Sequence, residues 1–366
     1  MRILFLTYIP APYRVAFFNE LGKNCDLTVV FEKESASHRD KSWKKYSFDF
    51  FKGIVLSGTK DKIMPNFQIV DYLKSSQYDF IIVHNPSTPT GMLAIQYMKN
   101  HRIKYWIESD GGFAKNGKGI KEAIKRHFLG GADGYFSTCD SCDTYLIQYG
   151  ADNNRIFRYP FAVPRINDDG QEQKDKEFFR NELGIKENRV VLAVGQFIPR
   201  KGFDVLIQAI KDIKSEFGAY FIGGKVTDEY RKLVCDLDIK NIHFIEFKDS
   251  SILKKYYMAS DVFVLPTRED IWGLVINEAM SYGLPVITTN RCGAGTELIK
   301  SGENGYLVEV EDSFGLSAIM SVLLDNQNLC NYIGKNARDT IDCFTIENMA
   351  KAHLEILEKD VGNNDK

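Results

Sequence analysis

The chain has 366 residues, 44% of them hydrophobic and 26% charged, with a formal net charge of −2. That length suits two globular domains, and the near-neutral balance argues against nucleic acid as the main partner. No apolar run reaches the roughly 18 residues that a membrane-spanning helix needs. Met1 to Thr7 reads as a short strand without a cleavage signature, so a protein in the cytoplasm, or peripheral on the cytoplasmic face of a membrane, is expected. Its seven cysteines are expected as reduced thiols. The single Cys139-x-x-Cys142 spacing lacks the second pair or the histidines of a zinc site.

The N-terminal half alternates strand and helix. Strands are expected at Arg2–Thr7, Leu27–Phe31, Phe80–Val83, Lys104–Ile107 and Gly134–Ser137, and helices at Val15–Leu21, Asn66–Lys74, Gly91–Lys99 and Ile120–Phe128. Apolar strands with helical crossovers imply a doubly wound parallel sheet, here an α/β Rossmann-like domain over residues 1–160. Its first strand-to-helix loop holds Tyr13 and Arg14 behind two prolines, which stiffen it and remove N–H donors. Arg14 is a candidate cation for a bound anion, or a plain surface arginine; Tyr13 is a candidate platform for a ligand. His84 follows the next strand on a polar loop, as a site residue or as a loop histidine bonded to backbone. Glu108-Ser-Asp110-Gly111-Gly112 follows the strand after that. Either carboxylate could accept a hydroxyl proton, and the glycines allow close backbone approach.

Between Lys115 and His127, Lys118, Lys121, Lys125 and Arg126 accompany an apolar stripe of Ile120, Ile124 and Phe128. A basic amphipathic helix of this kind can lie on an anionic membrane surface; the plainer alternative is a surface helix with its stripe in the core. Residues 161–188 read as a linker, because Asp168 to Glu177 holds no large apolar residue.

A second alternation starts at Val190–Val194. It continues through Tyr220–Ile222, Ile242–Phe244, Val262–Val264, Pro285–Thr288 and Gly305–Val308, giving a second Rossmann-like domain over 189–344. The first of these strands runs into Gly195-Gln196-Phe-Ile-Pro-Arg200-Lys201-Gly202. A glycine-bounded loop with two cations before a helix is a diphosphate cradle. Strand Val262–Val264 leads to Glu269 and Asp270. Gly273 then starts a helix whose first residue, Leu274, offers free backbone N–H groups, and Glu278 lies inside that helix. Asp270 and Glu278 suit the paired donors of vicinal hydroxyls, although a capping aspartate and a solvated glutamate would look the same. Gly293-Ala-Gly-Thr-Glu297 is a third loop of this kind, and three such loops at strand C-termini mark the ligand edge of an open α/β sheet. Asp236-Leu-Asp238 resembles a metal motif but follows a helical pattern. The last helix, Ile346–Leu357 within 345–366, has an apolar face that must pack on something.

These motifs resemble the retaining glycosyltransferases of family 4, most strongly over Val190–Val308. The carboxylate–seven-residue–glutamate motif of that family falls on Asp270 and Glu278, and its basic–four-residue–lysine motif on Gln196 and Lys201. The resemblance implies a GT-B fold, with two Rossmann-like domains facing a central cleft and the last helix crossing back to the N-terminal domain. It implies a nucleotide-sugar donor, such as a UDP-sugar, held by the C-terminal domain, and metal-independent chemistry without a cofactor. Glu278 would hold the ribose, Asp270 would face the donor sugar together with Gly293, and Lys201 would neutralise the diphosphate. Two departures stand out. Asp270 replaces a glutamate, which leaves Glu269 as an alternative, and Gln196 replaces an arginine, which Arg200 could offset. The N-terminal domain would bind a saccharide or lipid-linked saccharide acceptor, with Asp110 or Glu108 where the family carries a histidine. The expected activity is retaining transfer of a hexosyl or N-acetylhexosaminyl unit in cell-surface polysaccharide synthesis, without an evident nucleophile and hence by front-face attack. The rivals are a GT-B-like nucleotide-sugar epimerase and a two-lobed binding protein without chemistry.

Overall fold

A computed structural model describes residues 1–34, 47–57, 64–74, 77–115, 117–164 and 175–364. The chain forms two compact units, Met1–Pro164 with Phe344–Lys366, and Arg165–Cys343. In unit one, seven strands pair in parallel: β1 (Arg2–Thr7), β2 (Asp26–Phe31), β3 (Lys52–Val55), β4 (Phe80–Val83), β5 (Trp106–Glu108), β6 (Gly134–Ser137) and β7 (Ile156–Arg158). Their order is β3-β2-β1-β4-β5-β6-β7. Helices α1 (Pro12–Gly22), α2 (Ile69–Lys74), α3 (Pro89–His101), α4 (Ile120–Leu129) and α5 (Asp140–Gln148) make the connections. Strands β1, β4 and β6 are buried almost end to end, as a sheet covered on both faces requires. Phe5, Phe17, Phe18 and Phe31 are fully buried, with the rings of Phe5 and Phe18 edge-on at 5.0 Å.

Unit two has a six-stranded parallel sheet of β8 (Val190–Val194), β9 (Gly218–Ile222), β10 (Ile242–Ile245), β11 (Val262–Leu265), β12 (Val286–Thr289) and β13 (Gly305–Val308), in the order β10-β9-β8-β11-β12-β13. Its helices are α6 (Lys176–Leu183), α7 (Phe203–Lys211), α8 (Asp228–Asp236), α9 (Ser250–Ala259), α10 (Leu274–Ser281), α11 (Gly293–Leu298), α12 (Ser313–Asp325) and α13 (Gln327–Ile341). The chain then returns to unit one as α14 (Ile346–Asn364), which packs against α1 through the buried Met349, Ala350, His353 and Leu357.

Part of the expected linker is a helix. In α6 the Asp175 carboxylate accepts from Phe178 N at 2.9 Å, and Phe179 is fully buried. Lys176 and Arg180 reach the buried Asp261 at 3.0 and 2.6 Å, so α6 belongs to unit two. Residues 165–174 of that stretch lie outside the described residues. Strands β3 and β7 and helices α5, α12 and α13 add to the elements expected from sequence. The Asp236-Leu-Asp238 motif does sit at a helix end, where Asp238 takes φ 53° beyond α8 and pairs with Lys240.

Candidate active site

In unit two the strand order turns around between β8 and β11, the place at the C-terminal edge of an open α/β sheet where ligands bind, and the loops leaving these two strands meet there. One of them carries Gln196, Arg200 and Lys201, and the other Glu269, Asp270 and Gly273. Two glycines make the geometry possible. Gly202 stands at φ 67°, and a Cβ there would lie 1.9 Å from Pro266 O, so only glycine lets the loops touch. Gly273, at φ 97°, caps α10, where a Cβ would meet Cys292 Sγ at 2.8 Å. Backbone bonds fix the third loop against the second: Asp270 N donates to Arg291 O at 2.9 Å, and Gly293 N to Asp270 O at 3.0 Å. Gly195 N is tied to Ile222 O at 2.9 Å.

Asp270 is the carboxylate at this junction. Lys201 Nζ pairs with its Oδ2, and Arg200 Nη1 stands 3.3 Å from its Oδ1. Glu269, the alternative left open by the sequence, turns instead to Arg291 Nη2 at 2.8 Å. Gln196 is exposed on its loop. Lys201 and Asp270 are thus partners of one another, whereas the sequence assigned them to separate parts of a donor. Cys292 lies beneath, its thiol pushed up to about 12 by burial and by the neighbouring Asp270. At neutral pH it is a thiol, not a nucleophile. Further along α10, Glu278 accepts a hydrogen bond at Oε2 from the Tyr257 hydroxyl at 2.8 Å. Burial pushes its carboxyl up to about 7, and the tyrosine bond opposes that rise.

Unit one gathers its candidates where its own strand order turns, at the C-terminal ends of β1, β4 and β5. Arg14 is no surface residue: only 1% of its side chain is exposed, and it bonds Glu108 Oε1 at 2.8 Å and also Asp110. His84 Nε2 lies 3.1 Å from Asp110 Oδ2, and its Nδ1 3.2 Å from the Thr7 hydroxyl. The hydroxyls of Tyr13 and Tyr159 each approach Asp110 at 3.4 Å. His84 is therefore bonded through side chains, not backbone. Burial works to raise both carboxyls, but Arg14 and the neighbouring imidazoles hold Glu108 well below the usual carboxylate range and Asp110 below it too. Glu108 is completely buried, which removes it from contact with any acceptor and leaves Asp110, 20% exposed, as the reachable carboxylate. Gly112 is needed by the protein itself, since a Cβ there would strike the Tyr145 ring at 2.6 Å.

Sequence reasoning missed His353 and Tyr257. His353 Nε2 stands 3.4 Å from Glu108 Oε1, and its ring stacks on Phe136 at 4.4 Å. Its four-residue spacing from Met349 and Leu357 was the available signal: a histidine within the apolar stripe of the last helix. Tyr257 carried none.

The basic segment corrects the expectation in two ways. Lys118 precedes α4, and Lys125 is engaged with the Tyr149 hydroxyl at 3.3 Å and with Glu122 at 3.6 Å, leaving Lys121 and Arg126 as exposed cations of the helix itself. The apolar stripe does not enter the core at its start, where Ile120 is 81% and Ile124 42% exposed.

Residues 175–340 match the family model described as glycosyl transferases group 1. Spore coat protein SA of Bacillus subtilis is 30% identical over 210 residues, covering 54% of this chain and 55% of that protein, so the chain spans about half the length of that relative. An uncharacterized glycosyltransferase of Methanocaldococcus jannaschii is 25% identical over 80% of this chain and 90% of its own. Among solved structures, Anabaena HepE in complex with UDP superimposes with a TM-score of 0.78 at 17% identity, over 98% of this chain and 100% of that one. The chain thus has the fold of the GT-B glycosyltransferases, and the stretch holding Lys201, Asp270 and Glu278 is the one that matches glycosyl transferases group 1.

Proposed function

We propose that this protein is a glycosyltransferase that moves a hexosyl or N-acetylhexosaminyl unit from a UDP-sugar to a hydroxyl acceptor with retention at the anomeric carbon. The observation that carries this reading is the meeting of Arg200, Lys201 and Asp270 at the turning point of the unit two sheet, within the segment similar to glycosyl transferases group 1. The UDP complex of the structurally similar Anabaena protein favours uridine as the base.

Lys201 and Arg200, with the N–H groups at the start of α10 around Gly273 and Leu274, would meet the charge that grows on the departing diphosphate. Gly195, Gln196 and Gly293 would line the same donor site. Asp270 holds Lys201 in place and would receive hydroxyls of the donor sugar. Glu278, with Oε2 occupied by Tyr257, would use its other oxygen for the ribose. A carboxylate already paired with two cations is a poor nucleophile, so front-face departure assisted by the diphosphate is preferred to a covalent intermediate. In unit one, Asp110 beside His84 would orient the acceptor by accepting a hydrogen bond from its hydroxyl, with Tyr13 nearby as a binding surface. The acceptor would be a saccharide or lipid-linked saccharide destined for a cell-surface polysaccharide, reached from the cytoplasmic side through α4.

The test is turnover of a nucleotide-sugar panel by wild type, Lys201→Ala and Glu278→Ala. Loss of Lys201 should cost ~2–4 kcal/mol of transition-state stabilisation, about 30- to 1,000-fold in rate, and loss of Glu278 should raise the donor KM. Near-normal kinetics for both variants would overturn the assignment. Conversion of a nucleotide sugar into its epimer without acceptor would establish the rival activity. Because side-chain cations are assigned to the diphosphate, transfer should persist in excess chelator. Activity lost there and restored by Mg²⁺ or Mn²⁺ would refute that part.

A further inference from the structure

The side chain that faces Glu278 from outside its own helix comes from α9. Tyr257 is completely buried, and its hydroxyl donates to Glu278 Oε2 at 2.8 Å. Its ring stacks on Tyr282, at the C-terminal end of α10, with centroids 5.4 Å apart and planes 12° from parallel. It also meets Phe263 of β11, with centroids 5.9 Å apart. The phenol is thus packed against both the sheet and the end of α10. A residue serving packing alone would be as well placed as phenylalanine. The hydroxyl is spent on one oxygen of one half-buried carboxylate.

We propose that Tyr257 is the positioning residue of the donor site, orienting Glu278 and biasing it toward the anion so that its free oxygen can accept a ribose hydroxyl. This rests on the reading of Glu278 as the ribose contact. The electrostatics agree. Burial favours the protonated form of Glu278, and of the two influences on it only the Tyr257 bond favours the anion. Burial and the adjacent Glu278 hold the Tyr257 hydroxyl well above the usual phenol range, so it remains a donor throughout the working pH range. A protonated Glu278 would keep a proton on one of its two oxygens and lose the charge that strengthens its bond to a hydroxyl.

The experiment is calorimetric titration of UDP, GDP and ADP into wild type, Tyr257→Phe, Glu278→Gln, Glu278→Ala and the Tyr257→Phe/Glu278→Gln pair, between pH 5.5 and 8.5. With the tightest-binding nucleotide, Tyr257→Phe should weaken binding about tenfold near pH 7, the value of one charge-assisted hydrogen bond. It should also move the pH at which affinity falls to a higher value. In the Glu278→Gln background, which keeps an oxygen for the orienting bond but has no proton to control, the same substitution should cost less affinity, and that cost should not vary with pH. If Glu278→Ala weakens binding but Tyr257→Phe matches wild type at every pH, the role of Tyr257 is overturned while the donor site stands. A loss in Tyr257→Phe that is equal in both backgrounds and independent of pH shows mere packing and also overturns it. If Glu278→Ala binds like wild type, or no nucleotide binds wild type, the reading of Glu278 itself falls, and the proposal with it.

Discussion

Arg14 carries one positive charge into a buried site and meets two carboxylates there, Glu108 and Asp110. Truncating it to Ala would leave Glu108 buried without a cation, and the expected cost is ~3–5 kcal/mol, read as a lower urea midpoint. The same pair dictates a pH response. Glu108 is held well below its ordinary 4.5 in the folded chain, so the unfolded chain binds its proton more readily. The stability it contributes is complete above about pH 4.5 and is lost as the pH falls below that value. Glu278 has the opposite sign. Its carboxyl rises from 4.5 to about 7 on folding, so ionising it costs stability that drains away as pH climbs from about 4.5 to 7. Urea midpoints of Glu278→Gln across that window should fall less than those of wild type; parallel curves would refute the assignment. Individual residues were only partly legible in the sequence. Asp270, Lys201 and Asp110 announced themselves by their place after strands. That Asp270 meets Lys201 while Glu269 turns to Arg291 was not legible, because Arg291 comes from a different loop.

Helix α4 is legible as an amphipathic helix, but its surroundings are not. Its 3.6-residue pattern marks a stripe of Ile120, Ile124 and Phe128, and periodicity alone assigns such a stripe to a core. In the fold, Ile120 and Ile124 stay in contact with solvent, where the proposed lipid surface would cover them. Each basic residue near an anionic bilayer contributes about 1 kcal/mol, attenuated by salt. Wild type should therefore sediment with anionic liposomes at low salt. Lys118→Glu/Lys121→Glu and, separately, Ile120→Asn/Ile124→Asn should each reduce that binding several-fold. Equal binding by all three proteins would show that α4 is not a membrane element. The same limit explains the other elements. Strands β1, β4 and β6 show as apolar runs because both their faces are covered, whereas β3, only half buried, and β7, three residues long, show no such run. Helix α6 was hidden by its charge, since Lys176 and Arg180 look solvated until Asp261 is brought beside them.

For the whole molecule, the division into two units makes a thermal prediction. The proposed nucleotide contacts lie in Arg165–Cys343. UDP at 100 times its dissociation constant adds ~2.7 kcal/mol to whatever binds it. Scanning calorimetry should show the transition of that unit moving upward with UDP while the transition of the other unit stays, with limited proteolysis identifying which is which. Movement of the other transition alone would place the nucleotide elsewhere. The sequence by itself determined the α/β class, the strands of both sheets that are buried on two faces, and the candidacy of Lys201, Asp270 and Glu278. All of these depend on local pattern and on loops that directly follow strands. Only the tertiary structure decided that Arg14 and Glu108 are buried partners, that His353 returns from the far end of the chain to stand beside them, and that Tyr257 holds Glu278. These pairs lie 94, 245 and 21 residues apart in sequence. A charge or a hydroxyl has no pattern of its own, and its partner is chosen by the strand order, which no local stretch of sequence contains.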